Sequence, residues 1–407
     1  MRFKDIIMIV MAVLAAAVVI FAIIKCLRRI HAYRYAEKIK HMIYDKRIVE
    51  KGPKIVVIGG GTGLSTLLRG LKQYTANITA VVTVADDGGS SGKLREDLGI
   101  LPPGDIRNCI LALSDMEPDM EQLLQYRFKE GQLKGQNLGN LLIAAMTDIS
   151  NGFEKAIQQL SNVLAIKGRV LPVTLENIKL HAVLKDGTLI DGESHIPVVQ
   201  IESQSPIDKV FISPPNCTSL PEVLQAIHEA DAIGLGPGSL YTSIIPNLLV
   251  NEVRDGIYRS TAIKIYVCNV MTQPGETTDY SVIDHVDAII KHCGKNMIDW
   301  VVVNNNIVPD DILSKYELEG AKQVLCDKNQ IIKLRKMGIQ VVQGNLIDYS
   351  KGLVRHNSEM LAKNIMELVL DYSMARDRLK RMDYFYFKDL IRGKDKNKQG
   401  RREYNMK

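Results

Sequence analysis

Two adjacent carboxylates, five small residues and two cations are strung together in Asp86-Asp87-Gly88-Gly89-Ser90-Ser91-Gly92-Lys93-Leu94-Arg95. Paired carboxylates suit a divalent cation or ribose hydroxyls, while Lys93 and Arg95 suit phosphate oxygens. The plainer alternative is a surface turn in which Asp caps its own backbone. Two glycine turns offer a different chemistry: Gly59-Gly60-Gly61-Thr62-Gly63, and Gly234-Leu235-Gly236-Pro237-Gly238-Ser239-Leu240-Tyr241. Each feeds a helical pattern, so open backbone N–H groups and the helix dipole favour a phosphate guest, although such a turn can also do no more than pack strand against helix. Two such turns facing each other across a parallel sheet would grip a diphosphate.

Familiar signatures do not fit. A dinucleotide fingerprint counted from Gly59 or Gly61 puts Leu64 or Thr66 where the third glycine belongs. A P-loop fails because Leu94 follows Gly92-Lys93 and position 87 is Asp. Gly88-x-Ser90-x-Gly92 spells a nucleophile elbow, but Asp86 to Gly89 intervene where the elbow needs its serine directly after the strand. Further polar groups surround the turns. Pro102–Asn108 reads as a helix start with Asp105 as N-cap and Arg107 as a phosphate ligand. Asn137 and Asn140 open another helix, either reading a base or sugar or simply capping. Cys268–Thr277 follows a third strand and brings Asn269 and Thr272 to the same edge. The eight histidines form no HExxH and no Cys/His cluster, and His356 beside Arg355 is the one that stands near a candidate phosphate clamp. The six cysteines have no paired spacing, which argues against a disulfide framework or zinc knuckle and for a reducing compartment.

The elements that must position these groups are legible as apolar runs at 54–58, 78–84, 232–235, 262–267, 300–303 and 340–342, separated by helix-like stretches. That alternation predicts an α/β fold, a Rossmann-like doubly wound and mostly parallel sheet. Residues 170–213 differ: β-prone runs flank Lys185-Asp186-Gly187, predicting a small β-rich insertion.

Charge and hydropathy divide the chain into 1–51, 52–375 and 376–407. The segments 1–24, 25–51 and 376–407 carry +1, +6 and +7 of a whole-chain charge of +6, leaving 52–375 at −8. An acidic body argues against nucleic acid as partner. Ile6–Ile24 is an unbroken apolar run, about 28 Å long as a helix, which predicts one transmembrane anchor. Lys25, Arg28, Arg29, Arg34, Lys38 and Lys40 follow it, so the positive-inside bias puts the functional domain in the cytoplasm at the cell membrane. The basic tail, with Tyr384–Phe387, is either solvated or in contact with an anionic membrane surface.

Several strings together resemble the CofD-like proteins, on the YvcK branch of bacterial gluconeogenesis factors. They are GGGTGLSTLLRGL from Gly59, ADDGGSSGKLR from Ala85, PPGDIRNC from Pro102, GQNLGNLLIAA from Gly135, HAVLKDGTLIDGE from His181, GPGSLYTSIIPNLLV from Gly236, CNVMTQPGET from Cys268 and VRHN from Val354. The resemblance implies a nucleotide-diphosphate site. On the YvcK branch it implies binding of UDP-sugars, chiefly UDP-N-acetylglucosamine, in support of cell shape and envelope precursor supply during gluconeogenic growth. It also implies roles for an arginine and a tyrosine near the C-terminus, here Arg355 and Tyr316. The chain departs from the family pattern at Gln136, where His is common, at Asn357, where Asp often follows Arg-His, and in its N-terminal run.

Three functions follow as expectations. The first is a non-catalytic UDP-sugar sensor relaying envelope-precursor status to a protein partner, with a homo-oligomer left open. The second is a transferase of the 2-phospho-L-lactate type, with Asp86 and Asp87 carrying Mg2+ as its cofactor. The third is a dinucleotide oxidoreductase with Asp86 on the ribose. The ligand set common to the first two is Gly60, Gly61, Thr62, Gly63, Asp86, Asp87, Ser90, Ser91, Lys93, Arg95, Arg107, Asn137, Asn140, Gly236, Gly238, Ser239, Tyr241, Asn269, Thr272, Tyr316 and Arg355.

Overall fold

Short runs of aliphatic side chains with no polar alternation make strands that are covered on both faces. The strands are β1 (Ile55–Gly59), β2 (Ile78–Val82), β3 (Arg169–Pro172), β4 (Lys179–Leu184), β5 (Leu189–Asp191), β6 (Ile207–Ser213), β7 (Ala232–Leu235), β8 (Ile263–Val267), β9 (Trp300–Asn304), β10 (Gln340–Gly344), β11 (Ile347–Asp348) and β12 (Arg355–His356). Every residue of β1, β2, β7 and β8 is buried. The computed structural model describes residues 48–115, 118–349 and 352–376. The Ile6–Ile24 run, the basic stretch after it and the tail beyond Arg376 lie outside the described residues. Among the described residues no helix is long and apolar enough to cross a membrane.

Seven strands form one parallel sheet in the order β10-β9-β8-β7-β1-β2-β3, flanked by helices. Chain order therefore runs outward from β1 to β3, returns to β7, and proceeds outward again to β10. The reversal lies between β1 and β7, and in open α/β sheets such a switch point leaves a crevice at the strands' carboxyl ends. Both glycine turns follow these two strands. The doubly wound expectation holds.

Among the described residues fourteen α-helices flank and link the strands: α1 (Gly61–Leu71), α2 (Gly89–Leu98), α3 (Gly104–Leu113), α4 (Pro118–Gln125), α5 (Leu138–Ile149), α6 (Phe153–Val163), α7 (Ile196–Ser203), α8 (Pro221–Glu229), α9 (Ile245–Leu248), α10 (Asn251–Arg259), α11 (Val282–Cys293), α12 (Asp310–Leu318), α13 (Lys328–Lys336) and α14 (Ser358–Arg376). Helix α1 buries Leu64, Leu67, Leu68 and Leu71 completely, each worth roughly 1.5–3 kcal/mol of transfer free energy. It packs against α3 and α14. The contact with α14 is close enough that a Cβ on Gly70 would run into the Ser358 carbonyl oxygen.

Strands β4, β5 and β6 form a separate antiparallel sheet in the order β5-β4-β6. Burial alternates along β4 and β6, as one covered face requires. One boundary needs correction. Arg169–Pro172, grouped by sequence with the β-rich stretch, is the edge strand of the main sheet, paired in parallel with β2. The Val170–Val173 run carries no alternation that would have tied it to the antiparallel sheet.

Candidate functional site

The two glycine turns interlock. A Cβ on Gly63 would sit 2.7 Å from the Pro237 carbonyl oxygen and 3.0 Å from Gly238 Cα, and a Cβ on Gly238 would sit 3.3 Å from the Gly60 carbonyl oxygen. Gly61, with φ +67°, turns the chain from β1 into α1 in a conformation that side chains disfavour. Helix α1 starts without any side-chain cap or first-turn acid. The π-helical turn Leu240–Ile244 after the second glycine turn has no cap from Ser239, and the Glu276 carboxylate takes that role by accepting from the Tyr241 amide at 3.3 Å. With no side-chain cap and no first-turn acid, the start of α1 beyond Gly61 keeps the partial positive charge of a helix N-terminus.

These turns border one cavity of about 240 Å3, lined by Gly60, Gly61, Thr62, Gly63, Gly238 and Ser239 together with Asn269 and Arg355. Asn269, just past β8, fixes the second turn: its Nδ2 donates to the Gly238 carbonyl at 2.9 Å, and its Oδ1 accepts from the Gly238 amide at 3.4 Å. Asn247 fixes the first by donating to the Gly59 carbonyl at 3.1 Å. Arg355 is exposed and has no ion pair among the described residues. Its strand is held from below. The Tyr316 hydroxyl accepts from the Val354 amide at 2.7 Å, and the Tyr316 ring packs on the cluster of Val270, Val308, Ile347 and Val354. Tyr316 therefore sits one residue from Arg355 without lining the cavity, as a strut rather than a contact.

Next to this cavity, the loop after β2 is a structural hub. Gly60 lies against Asp105, and Gly104 against Ser91 and Asp86, so the first turn, α2 and α3 share a wall. Ser90 is buried, donates to Gln136 Oε1 at 2.7 Å, and accepts from the Asn137 amide at 3.1 Å and Asn140 Nδ2 at 3.2 Å. Asn137 caps α5, and Asn140 Oδ1 accepts from Arg107 at 2.6 Å. The asparagines and Ser90 thus spend their polar groups on one another, and the capping alternative holds for Asn137.

Several expected ligands have other employment. Arg95 donates to the backbone carbonyls of Ala85, Asp86 and Ile178, tying β2 to the start of the insertion. Lys93 is exposed. Thr272 is buried, its hydroxyl accepting from the Lys322 amide at 2.8 Å. Tyr241 is buried with its hydroxyl 2.8 Å from that of Tyr280. Gly236, with φ +77°, shapes the turn from behind, against Ile244. Asp105 is not an N-cap: Pro103 occupies that position, and Asp105 accepts from the Gly61 amide instead.

The Asp86–Asp87 pair does not fit a metal. Asp87 accepts from the amides of Glu193 at 3.1 Å and Ser194 at 2.8 Å, docking the insertion onto the sheet. Asp86 accepts from the Gly88 amide at 2.9 Å and from the Ser91 hydroxyl. No group of three or more His, Cys, Asp or Glu side chains among the described residues is placed to hold a metal ion.

Sequence reasoning missed a set of buried carboxyls behind the turns, in which Glu193 feels the charges of Asp86, Asp105 and Glu276. Burial pushes Asp105 up to about 6, aided by the Asp86 charge. Burial also pushes Glu193 up to about 8, aided by Asp86 and Glu276. Glu276 is pushed up to about 7 by burial, against hydrogen bonds from Thr242 and the Tyr241 amide. Asp86 is raised by burial too, while burial lowers Arg95 and brings Arg107 down to about 10. Only the fold brings Asp105, Glu193 and Glu276 together, because they are spread over 172 positions of sequence. Each has a folded pKa above its unfolded value, so its contribution to stability is present below about pH 4 and is lost as pH rises through 6 to 8. The unfolding midpoint is thus expected to fall between pH 5 and pH 8. Glu193→Gln should recover ~2 °C or more of that fall at pH 8, the scale of about 1 kcal/mol in a chain this size. A Glu193→Gln protein with an unaltered midpoint at pH 8 would count against the buried cluster.

The chain has an α/β core with paired glycine turns at its switch point, and it belongs to the CofD-like family. Residues 55–347 match the profile described as 2-phospho-L-lactate transferase CofD. Within that family its relatives are gluconeogenesis factors. The Bacillus subtilis gluconeogenesis factor is 48% identical over 318 residues, covering 78% of this chain and 98% of its own length. A Clostridium acetobutylicum relative is 56% identical over 357 residues, covering 88% of this chain and 78% of its own. The crystal structure of a UPF0052 family member from Bacillus halodurans superposes with a TM-score of 0.73 at 45% identity, covering 78% of this chain and 99% of that one.

Proposed function

We propose that this chain is a UDP-sugar-binding regulatory protein, with UDP-N-acetylglucosamine as its ligand, anchored in the cell membrane with its α/β domain in the cytoplasm. In this reading it supports cell shape and envelope precursor supply during gluconeogenic growth by reporting ligand level to a protein partner. The observation that supports it is the single cavity bordered by both glycine turns and by Arg355. At about 240 Å3 the cavity is smaller than the ~300–1,000 Å3 of a typical small-molecule site, so it takes the diphosphate while uridine and sugar extend along the open rim. Open amides and one arginine fork recognise a diphosphate without base-specific contacts, which leaves selection of uridine to the rim.

Calorimetry on the full chain in detergent tests this. Saturable binding of UDP-N-acetylglucosamine below millimolar concentration, with no response to NADH, is the expected result; no heat at millimolar ligand sinks it. Tyr316→Phe keeps the ring packing and removes only the hydroxyl that holds Val354. It should cost ~1 kcal/mol in urea unfolding and weaken UDP-sugar binding several-fold. Binding unchanged in Tyr316→Phe would mean that Arg355 needs no strut.

A second reading, a transferase acting on a nucleotide-diphosphate-linked donor, is favoured by one observation: burial brings the Glu193 and Glu276 carboxyls close to neutral pH, and Glu276 bonds to the Tyr241 amide just past the second glycine turn. Groups titrating there are suited to move protons. Turnover of such a donor, lost in Glu193→Gln, would favour this reading over a purely regulatory one.

A further inference from the structure

A larger cavity, about 490 Å3, lies between the insertion and α11, and no residue lines both it and the glycine-turn cavity. One side comes from Gln200 of α7 and from Gln204 and Asp208 near the start of β6. The other comes from Tyr280 and from Asp287 and Lys291 of α11. The wall carries carboxylates, amides and phenol hydroxyls, with Pro206, Ile207 and Ala288 between them. Four aspartates face it against two lysines. Three of the four are engaged: Asp208 with Lys291 at 2.6 Å, Asp279 with Lys322 at 2.5 Å, and Asp284 in the capping box of Ser281. Asp287 makes no ion pair among the described residues.

That lining selects by charge. A surplus of carboxylates repels phosphate, so a second nucleotide or sugar phosphate is excluded. The tyrosine hydroxyls bond each other and Gln200 donates to the Ser205 carbonyl, so Gln204, Asp287 and the spare lone pairs of the engaged aspartates are what the wall offers, which a hydroxyl-rich ligand satisfies and an apolar one leaves unpaired. An amino group on such a ligand would find Asp287. Between the two cavities stands a hydrogen-bonded partition. Ser239 donates to Gln273 Oε1 at 2.8 Å, and Gln273 donates to Glu276 Oε1 at 2.7 Å. Ser239 and Gln273 line the first cavity, while Glu276 and Tyr241 line the second.

We infer that the cavity between the insertion and α11 is a second ligand site, which takes a phosphate-free polyhydroxyl compound bearing an amino group, at the carboxylate of Asp287. Its occupant is distinct from any nucleotide ligand, and the inference stands whether or not UDP-sugars bind the first cavity.

Glucosamine serves as the probe, with glucose and glucosamine 6-phosphate as charge controls, titrated by saturation-transfer NMR into the full chain in detergent. Saturable glucosamine binding is expected, with glucose and glucosamine 6-phosphate each at least tenfold weaker. Thr278→Trp, at an exposed position of the wall, should crowd the cavity and remove binding. Asp287→Asn should reduce the preference for glucosamine over glucose. Absence of saturation, equal or tighter binding of the 6-phosphate, or binding untouched in both Thr278→Trp and Asp287→Asn would each overturn the inference.

Discussion

Arg355→Ala is expected to weaken UDP-N-acetylglucosamine binding by at least a hundredfold while leaving the unfolding midpoint unchanged. The side chain is exposed and unpaired among the described residues, so truncation removes no packing and strands no buried partner. What it removes is a bidentate fork onto a diphosphate. Two charge-assisted hydrogen bonds at about 1.5 kcal/mol each give ~3 kcal/mol, and each 1.4 kcal/mol is tenfold in affinity. Because the 52–375 body carries −8, little surrounding field replaces the lost cation. Arg355→Lys should recover only part of the loss, since an ammonium keeps the charge but not the planar fork. Calorimetry with melting curves on the same samples separates this outcome from simple unfolding.

Gly63→Val carries the other large effect, and here stability and binding fall together. A Cβ at residue 63 meets backbone atoms, Pro237 carbonyl carbon at 2.9 Å and its oxygen at 2.7 Å, rather than a side chain able to swing aside. Helix propensity alone would favour valine over glycine inside α1 by only about 0.4 kcal/mol. Overpacking costs ~1–3 kcal/mol and wins, because the second turn can retreat only by breaking its hydrogen bonds to Asn269. Urea unfolding should show a loss of that size, and binding should drop below detection once the two turns part. A Gly63→Val protein that is stable and binds normally would mean that the turns need not abut.

Strands β1, β2, β7, β8, β9 and β10 were legible because a buried parallel strand is a short aliphatic run and nothing else competes for that pattern. The glycine turns were legible for a related reason, since free amides before a helix are written in the sequence as glycines. The edge strand β3 was misassigned, because an edge and an insertion strand share composition and differ only in partner. Side-chain destinations were the least legible. Arg95 and Asp87 have the right chemistry for ligands, yet they are consumed in holding β2 and the insertion together. Asp105, Glu193 and Glu276 carry no local pattern, and burial by distant elements gives them their character. Tyr316 acts through Val354, a link no spacing rule contains.

Backbone amide shifts of the 15N-labelled protein, followed as UDP-N-acetylglucosamine and then uridine are added, bear most directly on the diphosphate grip. Thr62, Gly63 and Gly238 should move together with the nucleotide sugar and stay still with uridine. Saturation by the nucleotide sugar with those three amides unmoved would contradict the cradle outright.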